Sequence, residues 1–149
     1  MPMTRGVRVV VLGAVQRAED GRYLVVKGYD RVKDESFYRF IGGGVEFMEY
    51  AADALKREFK EEIDADIVVG ERLGFLENLF TFNGKNGHEY VIIYDVEFKD
   101  KTFYTKKSVI GNENGEEVFV CEWIDVSSAD NPLYPSGTKE LITGRKKTE

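Results

Sequence analysis

The sequence predicts an α/β fold, and three observations carry that expectation. Runs of β-branched and aromatic residues lie on both sides of one long amphipathic stretch, Tyr50 to Ile63. That stretch contains neither Gly nor Pro. A short helical pattern, Ser136 to Ile142, follows near the end of the chain. A length of 149 residues is ordinary for one domain, and 42% hydrophobic residues beside 32% charged ones supply enough apolar surface to offset the entropy of ordering. A single domain over residues 1–149 is expected.

Taken in order, Arg5 to Val15 is an apolar, β-branched run that reads as a strand. Glu19-Asp20-Gly21 reads as a turn and Tyr23 to Lys27 as a second strand, so the two suggest an opening hairpin. Gly28 to Ser36 reads as a polar loop and Phe37 to Phe40 as a short aromatic strand. Gly42-Gly43-Gly44 breaks regular structure, because glycine readily takes positive φ. In the helix, Ala51, Leu55, Phe59 and Ile63 recur every fourth position and form one apolar stripe. Asp66 to Val69 and Gly74 to Phe80 are strand material, and Asn83 to Gly87 is a turn. The alternation Tyr90, Ile92, Tyr94, Val96, Phe98 predicts a half-buried strand. Lys99 to Glu117 reads as an exposed loop, Val118 to Ile124 as a strand, and Arg145 to Lys147 as a basic, solvated tail.

Composition excludes several functions. The formal charge of −6 argues against general binding of nucleic acid or anionic membrane, since a negative surface gains nothing by releasing counterions. The single Cys121 excludes an intramolecular disulfide, and with the lone His88 it cannot form a zinc site of the Cys and His kind. Any metal is then expected on oxygen ligands. The longest apolar run, Val9 to Val15, is too short to span a membrane and contains Gly13. A reducing, cytoplasmic setting is expected.

The chemistry concentrates between residues 42 and 62. At about 100° per residue, Glu61 and Glu62 fall on either side of Glu58, so three carboxylates share one helical arc. Like charges at this spacing cost a helix a few tenths of a kcal/mol each, and Arg57 offsets only part of that. A bound cation reverses the cost. Hard oxygen ligands suit Mg2+ or Mn2+, which keep several waters and bridge to phosphate, so the pattern points to phosphate chemistry. The competing reading of the same residues is a solvated acidic helix face.

These residues resemble the Nudix box, G-x5-E-x7-R-E-U-x-E-E-x-G-U, where U is a bulky aliphatic residue. Gly43 opens the pattern, and Glu49, Arg57, Glu58, Glu61 and Glu62 fall in register. Phe59 is aromatic at the first U, Asp64 stands in place of Gly, and Ala65 is small for the last U, which suggests a different turn at the helix exit. The resemblance implies a Nudix-type α/β/α sandwich around a mixed β-sheet and a pyrophosphohydrolase of the MutT-like kind. It implies Mg2+ or Mn2+ as cofactor, a small-molecule nucleotide as partner, and possibly a homodimer at the family level. Glu58, Glu61 and Glu62 would ligate metal, with Glu58, Glu61 and Arg57 in the catalytic group and Arg57 orienting a helix carboxylate. Glu49 would brace the loop, and Gly42, Gly43 and Glu46 would support loop or substrate. Glu117, six residues before Trp123, is the choice over Glu116 for an extra ligand or general base.

Other readings stay beside these. His88 is assigned to a turn or strand start, with an acid or base role as the alternative. Phe37, Phe80, Phe82 and Tyr90 are expected in the core more than against a nucleobase. Trp123 is expected to pack near the site, and Cys121 to be buried. The alternative to an enzyme is a non-catalytic sensor of nucleoside diphosphates on the same fold. The positions beyond the box where the family signatures for ADP-ribose or dinucleoside polyphosphates would stand read Leu79, Phe80, Thr81 and Phe82, so the sequence does not choose among a nucleoside triphosphate, ADP-ribose and a nucleotide sugar.

Overall fold

The computed structural model describes residues 6–143 except Asn114, Glu116 and the side chain of Glu117; the Arg145 to Lys147 tail lies outside the described residues. Among the described residues, strands and helices follow one another as β1 (Val7–Ala14), β2 (Tyr23–Asp30), β3 (Glu35–Arg39), β4 (Ile41–Gly44), α1 (Ala51–Ile63), β5 (Ile67–Phe82), β6 (Lys85–Phe98), β7 (Ser108–Glu113), β8 (Glu117–Ile124), β9 (Leu133–Tyr134) and α2 (Thr138–Ile142). A 3-10 turn, Lys101–Thr105, precedes β7.

The first sheet runs β4-β1-β6-β5 and is mixed, with β1 parallel to β6 and antiparallel to β4. Alternate residues of β1 face opposite ways. Val11 packs with Leu55, Phe59 and Ile63 of α1, while Val10 and Leu12 pack with Ile142 of α2. The two helices therefore cover opposite faces, which is the expected α/β/α layering. A second sheet, β7-β8-β2-β3-β9, lies beside the first, and its strand β2 contributes Leu24 to one core and Val25 to the other.

Several local expectations are corrected. The expected opening hairpin is confined to a short antiparallel turn around Gln16 and Tyr23, where Leu24 donates to the Val15 carbonyl and Arg17 to the Arg22 carbonyl, and β1 and β2 themselves enter different sheets. The polar segment 28–36 is not a loop, because β2 extends to Asp30 and β3 begins at Glu35. The Asp30 carboxylate accepts from the backbone N–H groups of Val32, Lys33 and Asn83, which closes the turn with charge-assisted hydrogen bonds. The glycine triplet forms most of β4, since its backbone lies so close to β1 that a Cβ on Gly42 would stand 1.9 Å from the Val11 carbonyl oxygen. The two strand segments between 66 and 80 belong to one strand with irregularities between Val69 and Gly74. The segment 99–117 contains the 3-10 turn and β7.

At the helix exit Asp64 itself takes the left-handed conformation, φ 53° and ψ 43°, and its N–H donates to the Lys60 carbonyl. The Ala65 N–H donates to Phe59 at 3.3 Å. That is the turn a glycine forms at a helix end, so the different turn expected from the missing Gly does not occur. The aromatic Phe59 is accommodated by Gly13 on β1, where a Cβ would lie 2.8 Å from the ring.

Candidate active site

Arg57 organises the loop-to-helix junction. Its Nε and Nη2 donate to the two oxygens of Glu49, both at 2.9 Å, as a bidentate pair. Nη2 also donates to the Gly44 carbonyl at 3.0 Å, and Nη1 reaches Glu58 at 3.0 Å and Glu61 at 3.4 Å. Glu49 accepts in addition from the Glu46 N–H at 3.1 Å. These donors, the Arg57 fork first, pull the Glu49 carboxyl down to about 2. Glu46 stands 4.0 Å from Arg57 at the rim. Gly43 leaves room for the Glu58 carboxyl, whose Cδ would lie 2.5 Å from a Cβ there.

The three helix glutamates are not equivalent. Glu61 is 60% exposed, whereas Glu58 is only 15% exposed at the side chain and Glu62 is 7% exposed as a residue. Glu62 lies within hydrogen-bonding reach of Glu58. Burial first, and then the charges of Glu58 and Glu113, push its carboxyl up to about 8 against the opposing pull of Arg39. Burial likewise raises Glu58 despite its bond to Arg57. A proton on this pair removes the repulsion of two neighbouring carboxylates. Among the described residues no group of three or more acidic, His or Cys side chains is already drawn together to hold a metal ion. Mg2+ needs no preformed cage: one or two carboxylates with waters and phosphate oxygens suffice. A buried and a half-buried carboxylate beside an exposed third one fit that chemistry.

A cleft of about 900 Å3 separates the two sheets, and Arg39 and Glu113 line it. Both act electrostatically on Glu62, so the acidic pair adjoins that end of the cleft. Neither residue is among the sequence-based candidates. Glu113 is hidden in the stretch taken for a loop, because Gly111 and the exposed Ile110 obscure the inward alternation Val109, Gly111, Glu113. It is opposite Glu117 in the β7–β8 register. The side chain of Glu117 and the whole of Glu116 lie outside the described residues. Arg39 directly precedes the core residue Phe40, and no spacing rule singles it out.

Phe37, Phe80 and Phe82 line the cleft, which corrects the expectation that they belong to the core; Tyr90 stacks on Phe75 on the other face of the first sheet. His88 shares Tyr90's face, since the intervening Glu89 faces the cleft, and so is not placed for acid or base work there. Trp123 is buried beneath Arg17 and donates to the Lys106 carbonyl. Cys121 is buried, and desolvation pushes its thiol up to about 12.

Comparison with known proteins agrees with this construction. The NUDIX domain family model matches residues 6–143, so the chain belongs to the NUDIX family and is, by class, a Nudix pyrophosphohydrolase. Nudix hydrolases act on small-molecule nucleotides and generally use divalent metals. A MutT NUDIX hydrolase from Burkholderia pseudomallei has a similar structure, with a TM-score of 0.67 and 19% identity over 95% of this chain and 100% of that one. The E. coli ORF135 protein is similar with a TM-score of 0.59 and 23% identity over 91% and 86%. The E. coli dihydroneopterin triphosphate pyrophosphohydrolase gives 0.53 and 18% over 80% and 81%. At such identities these likenesses speak to the fold. No curated protein matches in sequence. Among the described residues, no helix is long and apolar enough to cross a membrane.

Proposed function

We propose that this protein hydrolyses the diphosphate linkage of a nucleoside diphosphate derivative with Mg2+ or Mn2+, acting as a single cytoplasmic domain on a nucleoside triphosphate, ADP-ribose or a nucleotide sugar. The observation that carries the reading is the pairing of buried Glu62 with half-buried Glu58 next to a cleft that Arg39 lines. Glu58, Glu61 and Glu62 would hold the metal, which would supply polarisation of a phosphoryl group and acidification of a water. Arg57 keeps Glu58 and Glu61 oriented through its Nη1, and Glu49 fixes Arg57 against the Gly44 carbonyl. Arg39 takes phosphate charge as the substrate enters. A carboxylate accepts the proton of the attacking water. Glu113 has the positional support for that role, and Glu117 on the facing strand retains the role of extra ligand or base.

The test is a screen of nucleoside triphosphates, ADP-ribose and nucleotide sugars with each metal, reading released pyrophosphate or monophosphate. Turnover is expected, with a loss of about a hundredfold or more in Glu61→Gln and Glu62→Gln at preserved folding. Unchanged turnover in both variants sinks the assignment. Binding without cleavage by the wild type would instead identify a nucleotide sensor. Comparing Glu113→Gln with Glu117→Gln identifies the base.

A further inference from the structure

We propose that β3 reads the substrate along its length, so that the cleft selects a nucleotide whose base carries an exocyclic amino group: Arg39 takes phosphate, Phe37 stacks the base and Glu35 accepts from the amino group. This rests on the reading of the protein as acting on nucleotides and deepens it by naming the class of base.

Strand geometry supplies the ruler. Glu35, Phe37 and Arg39 alternate on one face of β3 and all three line the cleft. Alternate strand residues stand about 7 Å apart, which places Glu35 about 13 Å from Arg39. That order and spacing match a nucleotide laid from α-phosphate to the far edge of its base. The Arg39 end of β3 leads directly into β4, whose Gly43 packs against the Glu58 carboxyl. The Arg39 side chain is half-buried, yet its guanidinium makes no hydrogen bond or ion pair among the described residues. A guanidinium whose donors are not engaged can take phosphate, whose oxygens match its fork.

Phe37 is a platform in the middle. Its cross-strand partner is Gly28, and a Cβ there would stand 2.4 Å from the ring, so the ring covers Gly28 on β2 where any other residue would displace it. Phe82 meets it edge-on, with ring centres 5.8 Å apart and planes at 90°, and Tyr134 flanks it at 5.3 Å. Held in this way, a half-buried ring beside the cleft offers a stacking surface of fixed orientation.

At the far end, Glu35 Oε1 accepts from the Tyr134 hydroxyl at 2.7 Å. This contact holds the hydroxyl proton, pushing Tyr134 up to about 12, so the tyrosine donates and Glu35 accepts. The other Glu35 oxygen has no hydrogen bond among the described residues. A carboxylate oxygen in this position attracts an amino group and repels the lone pairs of an oxo group.

The experiment uses the full chain and two pairs of nucleotides that differ only at this edge, cytidine against uridine triphosphate and adenosine against inosine triphosphate. A kcat/KM ratio of about tenfold or more in favour of the amino member is expected in both pairs. Glu35→Gln, whose amide can also donate, brings both ratios towards unity. Phe37→Ala raises KM for all four more than it lowers kcat, and Phe37→Tyr restores it. Equilibrium binding of the four monophosphates to metal-free protein reads the same preference without turnover. Equal cleavage within both pairs, or ratios undiminished in Glu35→Gln, overturns the proposal while leaving the hydrolase reading intact. Amino-selective binding without cleavage of any compound upholds the proposal and overturns the hydrolase reading.

Discussion

Two arginines bracket the acidic pair, and they differ in almost everything except charge. Arg57 donates to four groups: both oxygens of Glu49, the Gly44 carbonyl, and one oxygen each of Glu58 and Glu61. Arg39 donates to none among the described residues, though it is half-buried and lines the cleft. The first has spent its hydrogen-bonding capacity on the fold, and the second has kept it. This difference separates residues that shape a site from residues that receive a ligand, and it predicts different consequences for the same change of side chain.

The largest effect belongs to Arg57. Arg57→Ala leaves the Glu49 and Glu58 carboxylates and the Gly44 carbonyl without their shared partner in a site where Arg57 is 25% exposed. A loss of about 2–4 kcal/mol in unfolding free energy is expected from urea denaturation, with a fall of about a hundredfold or more in turnover. Arg57→Lys recovers little of either, because an ammonium cannot reproduce the fork that meets Glu49. A lysine variant with wild-type stability would show that the bidentate geometry is not what holds the loop.

Arg39→Met is expected to do the reverse. No described hydrogen bond is lost, so the melting temperature should stay within a few degrees, while KM for a cleaved nucleotide rises about tenfold. Calorimetry and steady-state kinetics on one preparation check both halves. If Arg39→Met destabilises the protein as much as Arg57→Ala, the contrast between the two arginines is broken.

The contrast also explains what the sequence disclosed. Arg57, Glu49 and the three helix glutamates were legible because local geometry joins them: a helix turn sets the separation of Glu58, Glu61 and Glu62, and a short loop returns Glu49 to Arg57. The long α1 helix and the later alternating strand were legible for the same reason. Arg39, Glu113 and the Phe37 platform are assembled by pairing between β2 and β3 and between β7 and β8. No periodicity within one segment records which strand lies beside it. The hairpin at the start is confined to a short turn for the same reason, since β1 and β2 themselves enter different sheets. Phe37 and Phe82 looked like core because aromatic residues at strand spacing usually are; Gly28 is what frees one of them, and its role is visible only across the strand pair.

Between the arginines, Glu62 gives a smaller effect with a definite sign. Its folded carboxyl titrates near 8, above the ordinary 4.5, so the folded state retains a proton that the unfolded chain releases. The associated stability is present below about pH 4.5 and is lost as pH rises to about 8. Metal-free protein should therefore melt several degrees lower at about pH 8 than at about pH 5, and Glu62→Gln should flatten that part of the profile. Because Arg39 opposes the shift, Arg39→Met should move the Glu62 titration further upward. An unchanged profile in Glu62→Gln would assign the slope to another group.

The smallest effect tests where the box departs from its pattern. Asp64 occupies the left-handed position at the end of α1 that a glycine fills without strain, and an ordinary side chain there costs about 1 kcal/mol. Two terms reduce that cost. Aspartate tolerates this conformation better than most residues, and its carboxylate lies 3.1 Å from the Lys60 ammonium, an exposed pair of small worth. Glycine would in turn lose more backbone freedom on folding. Asp64→Gly should thus stabilise the protein by only about 0.5 kcal/mol, read as a small upward shift of the urea midpoint, and turnover should not change because the Schellman-like bonds to Phe59 and Lys60 are made by the backbone. A marked loss of activity would mean that the helix exit, like the loop held by Arg57, helps to aim the glutamates one turn earlier.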